Sequence, residues 1–558
     1  MAARRKRRQT RQRTGWHTWI QLGVVFLVAL ALRLAYVQSI AESPGARFLQ
    51  TNPERYHAWA QAILDGKSPR PPFEQPPAYA YFVATVYWLA GNNPGRVRTV
   101  QAFVDAAQCA LLSVLSRSLA GSVAGWATGL LAAQYGPFLY FTGELVPATI
   151  PLFLLAAAAL ASRFERWVLV GVVSLATTLF RAELLLAVAA FVAWLRFRGA
   201  KNGARIVGVT IVAGWIGATA IVSIAAGRLV PYTTGAGLNL WLGNNPYADG
   251  VDPFPPFPLQ AALQRAVEQH GRDPVALDQW FAGVALKFWH DYPSAAFRLL
   301  WKKFRWTLVD RELPNTSDIE WQQQYSWLFR LPFFPLSWGV ALCLAAAGLV
   351  LSPRSREHAL EPFLLTAAAA TSLLVCTAFF TNARFRLPAA LWLLVWAGEA
   401  VQAVRSRMHM PQRSRFLAAA TAVAIAGWLA FSNPYGVRAY QIAALDVNTG
   451  AAERLAGHPQ KALVYLERAL AQQRDDEIAW VHLALAREQM GDPAGAANAY
   501  LEGLAAARTR DDLQRAARQF FQRHGLPPGW IDQWLSAPSP AARDALRTQV
   551  LRALRPTP

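Results

Sequence analysis

The feature that most constrains this chain is a series of apolar stretches, each close to the length that crosses a lipid bilayer. They lie near 19–37, 98–119, 122–142, 145–162, 167–181, 183–197, 206–227, 329–352, 361–381, 387–404 and 414–432. A hydrocarbon core offers backbone N–H and C=O groups no partner, so stretches of this kind fold as helices. The chain is therefore expected to be all-α and polytopic, with about eleven spans. Composition agrees, with 54% apolar and only 16% charged residues, against roughly 25% charged in soluble domains. The 22 tryptophans suit membrane–water boundaries, where an apolar ring with one N–H donor is at home.

A net charge of +21 raises the question of a nucleic-acid partner. The placement of the charge excludes it, because Lys and Arg fall in short runs between apolar stretches, as in cytoplasmic loops facing anionic lipid. The tail 1–16 carries Arg4, Arg5, Lys6, Arg7, Arg8, Arg11 and Arg13 and is expected inside. No small-residue cleavage site follows the first apolar run, which reads as an uncleaved anchor. With that start, Arg163, Arg166, Arg196, Arg198, Lys201, Arg205, Arg354, Arg356, Arg405, Arg407, Arg413 and Arg415 all fall on the inner side. The outer side then receives the loops 40–97 and 228–328 and the tail from about 433. Cys109, Cys343 and Cys376 sit inside apolar segments and read as small buried hydrophobes.

Both loops have helical patterning. Tyr56, Trp59, Ala60, Ile63 and Leu64 share one helix face, suited to the membrane surface. After Pro76-Pro77 comes Ala78–Leu89, too short to span and expected to be interfacial or re-entrant. The second loop has a turn at Gly243-Asn244-Asn245-Pro246 and amphipathic stretches near 257–270 and 275–307. In the tail, Gly457-His458-Pro459 and Gly491-Asp492-Pro493 stand 34 residues apart. Ala462 and Ala496, Leu466 and Tyr500, and Ala469 and Gly503 follow at matching offsets. This resembles tetratricopeptide repeats, two helices per unit, with a degenerate third unit at Gly525-Leu526-Pro527. The resemblance implies a helical repeat domain over 433–558 that binds a protein partner.

The membrane part, 17–432, carries a set of short motifs in fixed relation to the spans. They include Asn52-Pro53-Glu54-Arg55-Tyr56, Phe73-Glu74-Gln75-Pro76-Pro77 and Tyr135-Gly136-Pro137-Phe138 with Gly143-Glu144-Leu145. Later come Phe180-Arg181-Ala182-Glu183, Gly243-Asn244-Asn245-Pro246, Glu312-Leu313-Pro314-Asn315 and Asn382-Ala383-Arg384-Phe385-Arg386-Leu387-Pro388. Together these resemble bacterial integral-membrane glycosyltransferases of the GT-C fold, relatives of protein O-mannosyltransferases and aminoarabinose transferases. The resemblance implies a bacterial inner-membrane enzyme that moves a sugar from a polyprenyl-phosphate carrier to an acceptor at the outer face. Such transfer needs a carboxylate to take the acceptor proton. It also needs cations, in some members with a divalent metal ion, to hold the leaving phosphate.

The family's acid before the first-loop tyrosine falls on Asn52, which cannot act as a base. Glu54, Glu74, His57 and above all Glu144 are the remaining candidates for proton transfer. A carboxylate at a span end, such as Glu144, is costly unless paired or used. The second acid of relatives falls on Ala148. Arg181, Arg384 and Arg386, with Asn52, Tyr56, Asn244 and Glu312, are implied for substrate or carrier binding, because a guanidinium matches phosphate geometry. Simpler readings stand beside these. Arg181 can pair with Glu183, Asn244 and Asn245 can merely form a turn, and Lys302, Lys303 and Arg305 can form a solvated face. No Gly-rich phosphate loop, metal-spaced His/Cys cluster or nucleophile triad is present in the sequence. The alternatives to an enzyme are a GT-C-like scaffold with degraded catalysis and a transporter. The latter is disfavoured by the lack of span duplication or of an interrupted helix pair in the pattern.

Overall fold

A computed structural model describes residues 15–67, 70–250, 256–313, 319–332, 334–352, 361–407, 413–432, 443–507 and 511–554. The basic residues from Arg4 to Arg13, Pro314, Asn315, Arg354, Arg356 and the segment 433–442 lie outside the described residues. Regular structure among the described residues is helical, with one isolated backbone bridge, so the all-α expectation stands.

The chain begins with α1 (Trp16–Ser39), a short turn α2 (Pro44–Arg47), α3 (Thr51–Leu64) and α4 (Ala78–Ala90). Then come α5 (Pro94–Ala120), α6 (Ser122–Gln134), α7 (Gly136–Gly143), α8 (Thr149–Arg163), α9 (Trp167–Phe180), α10 (Leu185–Phe197) and α11 (Lys201–Ala226). The second loop holds α12 (Ala236–Leu242), α13 (Pro256–His270), α14 (Pro274–Asp291), α15 (Pro293–Leu308) and α16 (Ile319–Gln323). The apolar stretches resume with α17 (Trp338–Leu351), α18 (Glu361–Ala378), α19 (Ala383–Arg407) and α20 (Arg413–Phe431). The tail forms α21 (Ala443–Leu455), α22 (Pro459–Gln472), α23 (Glu477–Gln489), α24 (Pro493–Ala506), α25 (Asp511–Arg523), α26 (Gly529–Ser536) and α27 (Pro540–Ala553).

Five of these, α1, α5, α11, α19 and α20, are long and apolar enough to cross a membrane. The other expected spans are shorter helices. The expected single span at 122–142 is broken at Tyr135 into α6 and α7. Pro137 starts a new helix there because it cannot donate to the preceding turn. The freed backbone pairs with another segment instead: Gly136 N donates to Leu336 O at 2.9 Å, and Leu336 N donates to Gln134 O at 2.8 Å. The apolar run reads through Gly136-Pro137 as one span, and the structure interrupts it there. Pro332 and Pro335 also delay the start of the 329–352 stretch, whose helix begins only at Trp338.

Contacts divide the chain into two units. One comprises 1–41, 51–315 and 319–438, and the other 42–50, 316–318 and 439–558. In the first unit α19 is the central element, packed by α17, α18 and α6, with Leu387, Leu391, Trp392 and Trp396 buried. Two glycines permit this. A Cβ on Gly348 of α17 would stand 1.9 Å from the Trp396 carbonyl oxygen, and one on Gly398 would stand 2.0 Å from Thr128 Oγ1 of α6. Close backbone approach of this kind is how helices associate where lipid gives no hydrophobic drive between them. Deep in the same unit, α1 and α5 are joined by a buried ion pair, Arg33 Nε to Asp105 Oδ2 at 2.6 Å. The other Arg33 donors reach Ala133 O at 2.6 Å, Ala132 O at 3.1 Å and Cys109 Sγ at 3.2 Å. Cys109 is thus a hydrogen-bond acceptor as well as a buried apolar group.

The second unit is built from helices of similar length joined by tight turns. Gly457, Gly491 and Gly525, spaced by 34 residues, all adopt left-handed φ values, +83°, +75° and +66°, where a side chain would be strained. Asp476 and Asp492 cap the helices that follow them, accepting from Ile478 N at 2.9 Å and Gly495 N at 2.8 Å. Trp480, Leu483, Tyr500, Phe520, Phe521 and Trp534 fill the core. The short α2 belongs to this unit and packs on α21.

Candidate functional site

Helix ends bring two polar clusters together in the first unit. The first surrounds Glu144, in the bend between α7 and α8. Its side chain is buried, at 8% exposure, and accepts from Gln322 Nε2 of α16 at 3.2 Å. It also interacts electrostatically with Arg98 of α5, Tyr36 of α1 and Tyr79 of α4. The bend itself is held by Arg98 Nε on Gly143 O at 2.8 Å and by Gln101 Nε2 on Thr142 O and Glu144 O, both at 2.9 Å. The Glu144 carboxyl is thus buried beside a guanidinium and an amide donor.

The second cluster is Arg181, Glu183, Arg384 and Tyr56. Arg181 ends α9 and donates through Nε to Glu183 Oε1 at 2.7 Å. Its Nη1 donates to the carbonyl of Arg384 at 3.3 Å. That carbonyl is free because Pro388, four residues on inside α19, has no N–H to give it. The sequence Arg-Phe-Arg-Leu-Pro therefore creates the acceptor that draws Arg181 to Arg384. Burial pushes the Glu183 carboxyl up, but the neighbouring Arg181 and Arg384 charges outweigh it and hold it below the usual range. Arg384 Nε has no hydrogen-bond partner. Tyr56 of α3 is buried, which pushes its phenol well up, and Arg384, Arg55 and Glu183 all act on it. A small pocket opens beside this cluster, lined by Arg181, Glu183, Leu184, Thr371, Ser372 and Phe385 among others.

Two tyrosines bridge the clusters. The Tyr56 and Tyr79 rings meet edge to face at 4.9 Å. The Tyr79 hydroxyl donates to Gln101 Oε1 at 2.6 Å, and Gln101 in turn holds the Glu144 carbonyl. The result is one polar and aromatic layer running from Glu144 to Arg384.

Several residues singled out in sequence stand elsewhere. Arg386 is buried and spent on structure. It donates to Val309 O at 2.8 Å, Arg311 O at 2.6 Å and Glu312 Oε2 at 2.7 Å, and lies over the Trp338 ring. Glu312 is accordingly its partner; burial pushes that carboxyl up, against the pull of Arg386. Glu74 is exposed and paired with Arg55 at 2.8 Å, and Glu54 is exposed. Asn52 Oδ1 accepts from Gln75 Nε2 at 2.6 Å. His57 Nδ1 lies 2.7 Å from the Tyr87 hydroxyl, and burial lowers its pKa. Asn244 is a brace: its Nδ2 donates to Leu240 O and Ala378 O, both at 2.8 Å, while its Oδ1 accepts from Trp289 Nε1 at 3.1 Å. Asn245 caps its own turn.

The solvated reading of the Lys302–Arg305 cluster is corrected. Lys303 is fully buried, with Nζ on Gly243 O and Asn244 Oδ1, both at 3.0 Å, Phe379 O at 2.9 Å and Ala378 O at 3.2 Å. Burial pushes it down to about 7, although four oxygen acceptors favour the ammonium. Arg305 is buried too, closing the end of α20 through Leu429 O at 2.7 Å. Lys303 shares a helix row with Ala296, Leu299 and Trp306, and the carbonyls of the neighbouring helix ends supply the acceptors that let its ammonium be buried there. Gln322 and Arg98 belong to the layer and stood in no sequence motif, while Glu183 stood in the Phe180–Glu183 motif as the pairing partner of Arg181, which it is. Among the described residues no group of three or more His, Cys, Asp or Glu side chains is placed to hold a metal ion.

No protein-family model matches the chain, and no curated protein matches it. Among solved structures, the chain resembles the crystal structure of ArnT from Cupriavidus metallidurans bound to undecaprenyl phosphate, at 15% identity and a TM-score of 0.40. The alignment covers 90% of this chain and 85% of that one.

Proposed function

We propose that this protein is a membrane glycosyltransferase of the GT-C type, moving a sugar from a polyprenyl-phosphate carrier to an acceptor at the outer face of the membrane. The observation that carries this reading is the layer joining buried Glu144 to the Arg181–Arg384 pair through Tyr56 and Tyr79. Glu144 takes the proton of the acceptor hydroxyl. The acceptor oxygen forms its bond to the sugar's anomeric carbon as the carbon–oxygen bond to phosphate breaks. The departing polyprenyl phosphate keeps that electron pair, and Arg384, with Arg181 behind it, receives the charge. Arg384 and Arg386 each keep an Nε without a partner, but the Arg386 charge is matched by Glu312, whereas Arg384 stands beside Arg181 and Glu183. Tyr56 and Tyr79, both fully buried, hold the two clusters together. The tail helices, read as tetratricopeptide-like, recruit a protein partner or acceptor.

Catalysis is tested by supplying a sugar-loaded polyprenyl phosphate to the purified full chain and measuring free polyprenyl phosphate and transferred sugar. Glu144→Gln is expected to abolish transfer while carrier binding persists. Full transfer by that variant would remove Glu144 from the mechanism. A second reading, a GT-C-like scaffold without catalysis, is favoured by Asn52, an amide engaged by Gln75 where the family carries an acid. Carrier binding without release of free polyprenyl phosphate in the wild type would select it.

A further inference from the structure

Helix α15 presents two different faces. Ala296, Leu299, Lys303 and Trp306 are buried against the protein. On the other side Phe297 and Trp301 are 68% and 56% exposed, one turn apart, with Arg298 exposed and Lys302 half-buried in the adjacent row. Tyr292, just before the helix, is 58% exposed. No acidic residue occurs between 293 and 308. Exposed aromatic rings are costly in water, and the pattern of rings beside cations fits the headgroup zone of a bilayer.

The position of the helix favours that zone independently. Arg305 Nη1 donates to Leu429 O at 2.7 Å and Nη2 to Ser432 Oγ at 2.5 Å. Asp310 N donates to Ala430 O at 2.7 Å. These partners are the last turn of α20, which has the length and apolarity of a span. Arg386, in the first turn of α19, donates to Thr307 O at 3.4 Å and Val309 O at 2.8 Å. The C-terminal end of α15 is thus pinned to the ends of two membrane-crossing helices, where hydrocarbon gives way to headgroups.

We propose that α15 lies in the membrane surface and docks through Phe297, Arg298, Trp301 and Lys302 onto acidic phospholipid headgroups. The rings enter the acyl–headgroup boundary and the two cations meet lipid phosphates. The proposal does not depend on sugar transfer. It is tested on the full chain carrying a nitroxide at Phe297→Cys or, as a second site, at Trp301→Cys. The chain is placed in nanodiscs of phosphatidylcholine alone or mixed with phosphatidylglycerol, with the parent labelled in parallel to subtract signal from native cysteines. Collisions with dissolved oxygen are expected to exceed those with a neutral nickel chelate, and chelate collisions should fall several-fold when phosphatidylglycerol is present. Arg298→Gln with Lys302→Gln should erase that several-fold lipid dependence. Chelate collisions that dominate in both bilayers, or that are equal in the two, would overturn the proposal. Spin–spin broadening between labels would assign the face to a second copy of the chain and overturn it as well.

Discussion

Arg384 and Arg386 stand two residues apart in the same helical turn, and their environments separate their roles. Arg386 holds three carbonyls and Glu312 in a dry site, so removing it leaves a buried carboxylate and orphaned acceptors. Arg386→Ala is expected to cost about 3–5 kcal/mol, read as a large fall in melting temperature in detergent. Arg384→Ala should leave melting near that of the wild type and weaken binding of polyprenyl phosphate. A loss of stability from Arg384→Ala equal to that from Arg386→Ala would contradict the division. Both arginines are visible in sequence as a basic pair at a helix start. Which one is spent on structure depends on where the 307–312 segment passes, and local sequence does not encode that. The same holds for Lys303, whose spacing suits either a wet or a dry face, and for Glu183, an acid next to an arginine until α19 brings Arg384 beside it.

Among the elements, α19 carries the most, because its burial fixes both the core and the start of the site. Its contact with α17 depends on Gly348. Gly348→Ala would force a methyl into the Trp396 carbonyl, 1.9 Å away, and is expected to destabilise by about 1–3 kcal/mol. Thermal unfolding in detergent checks this, and an unchanged midpoint would mean the two helices can part without loss. The break between α6 and α7 is also an element-scale result. Gly136-Pro137 signals a break in sequence, yet the apolar run through it reads as one span. The backbone of the distant 334–337 segment makes the break tolerable by satisfying the freed groups at Gln134 and Gly136.

For the molecule as a whole, acid should act on the second unit through His482. Burial, and then the Arg454 charge, lower this imidazole to about 4, and Arg454 Nε donates to its Nδ1 at 3.2 Å, which requires a neutral ring. The unfolded chain takes up a proton at His482 near pH 6.5 and the folded chain only near 4. Stability from this group is therefore full above pH 6.5 and is lost as pH falls toward 4, on the order of 3 kcal/mol. Hydrogen exchange of the 443–554 helices in the full chain should accelerate over that window. In His482→Gln the same pH change should have a smaller effect. Equal acid sensitivity in both would remove His482 from the account.

By itself the sequence determined the helical class and the apolar runs that become helices, but not the break at Tyr135 or the late start at Trp338. The apolar runs leave the backbone no other way to satisfy its hydrogen bonds, and Gly and Pro punctuate them by local sterics. The 34-residue glycine spacing in the tail was legible for the same reason, since left-handed turns are a property of a few adjacent residues. Glu144 stood out in sequence because an acid at a span end is costly anywhere. Only the tertiary structure decided the membership of the site. Gln322 and Arg98 approach Glu144, and Arg181 approaches Arg384, across 178, 46 and 203 residues of chain. Pairings of that separation follow from how the helix ends pack, and no local pattern of residues carries them.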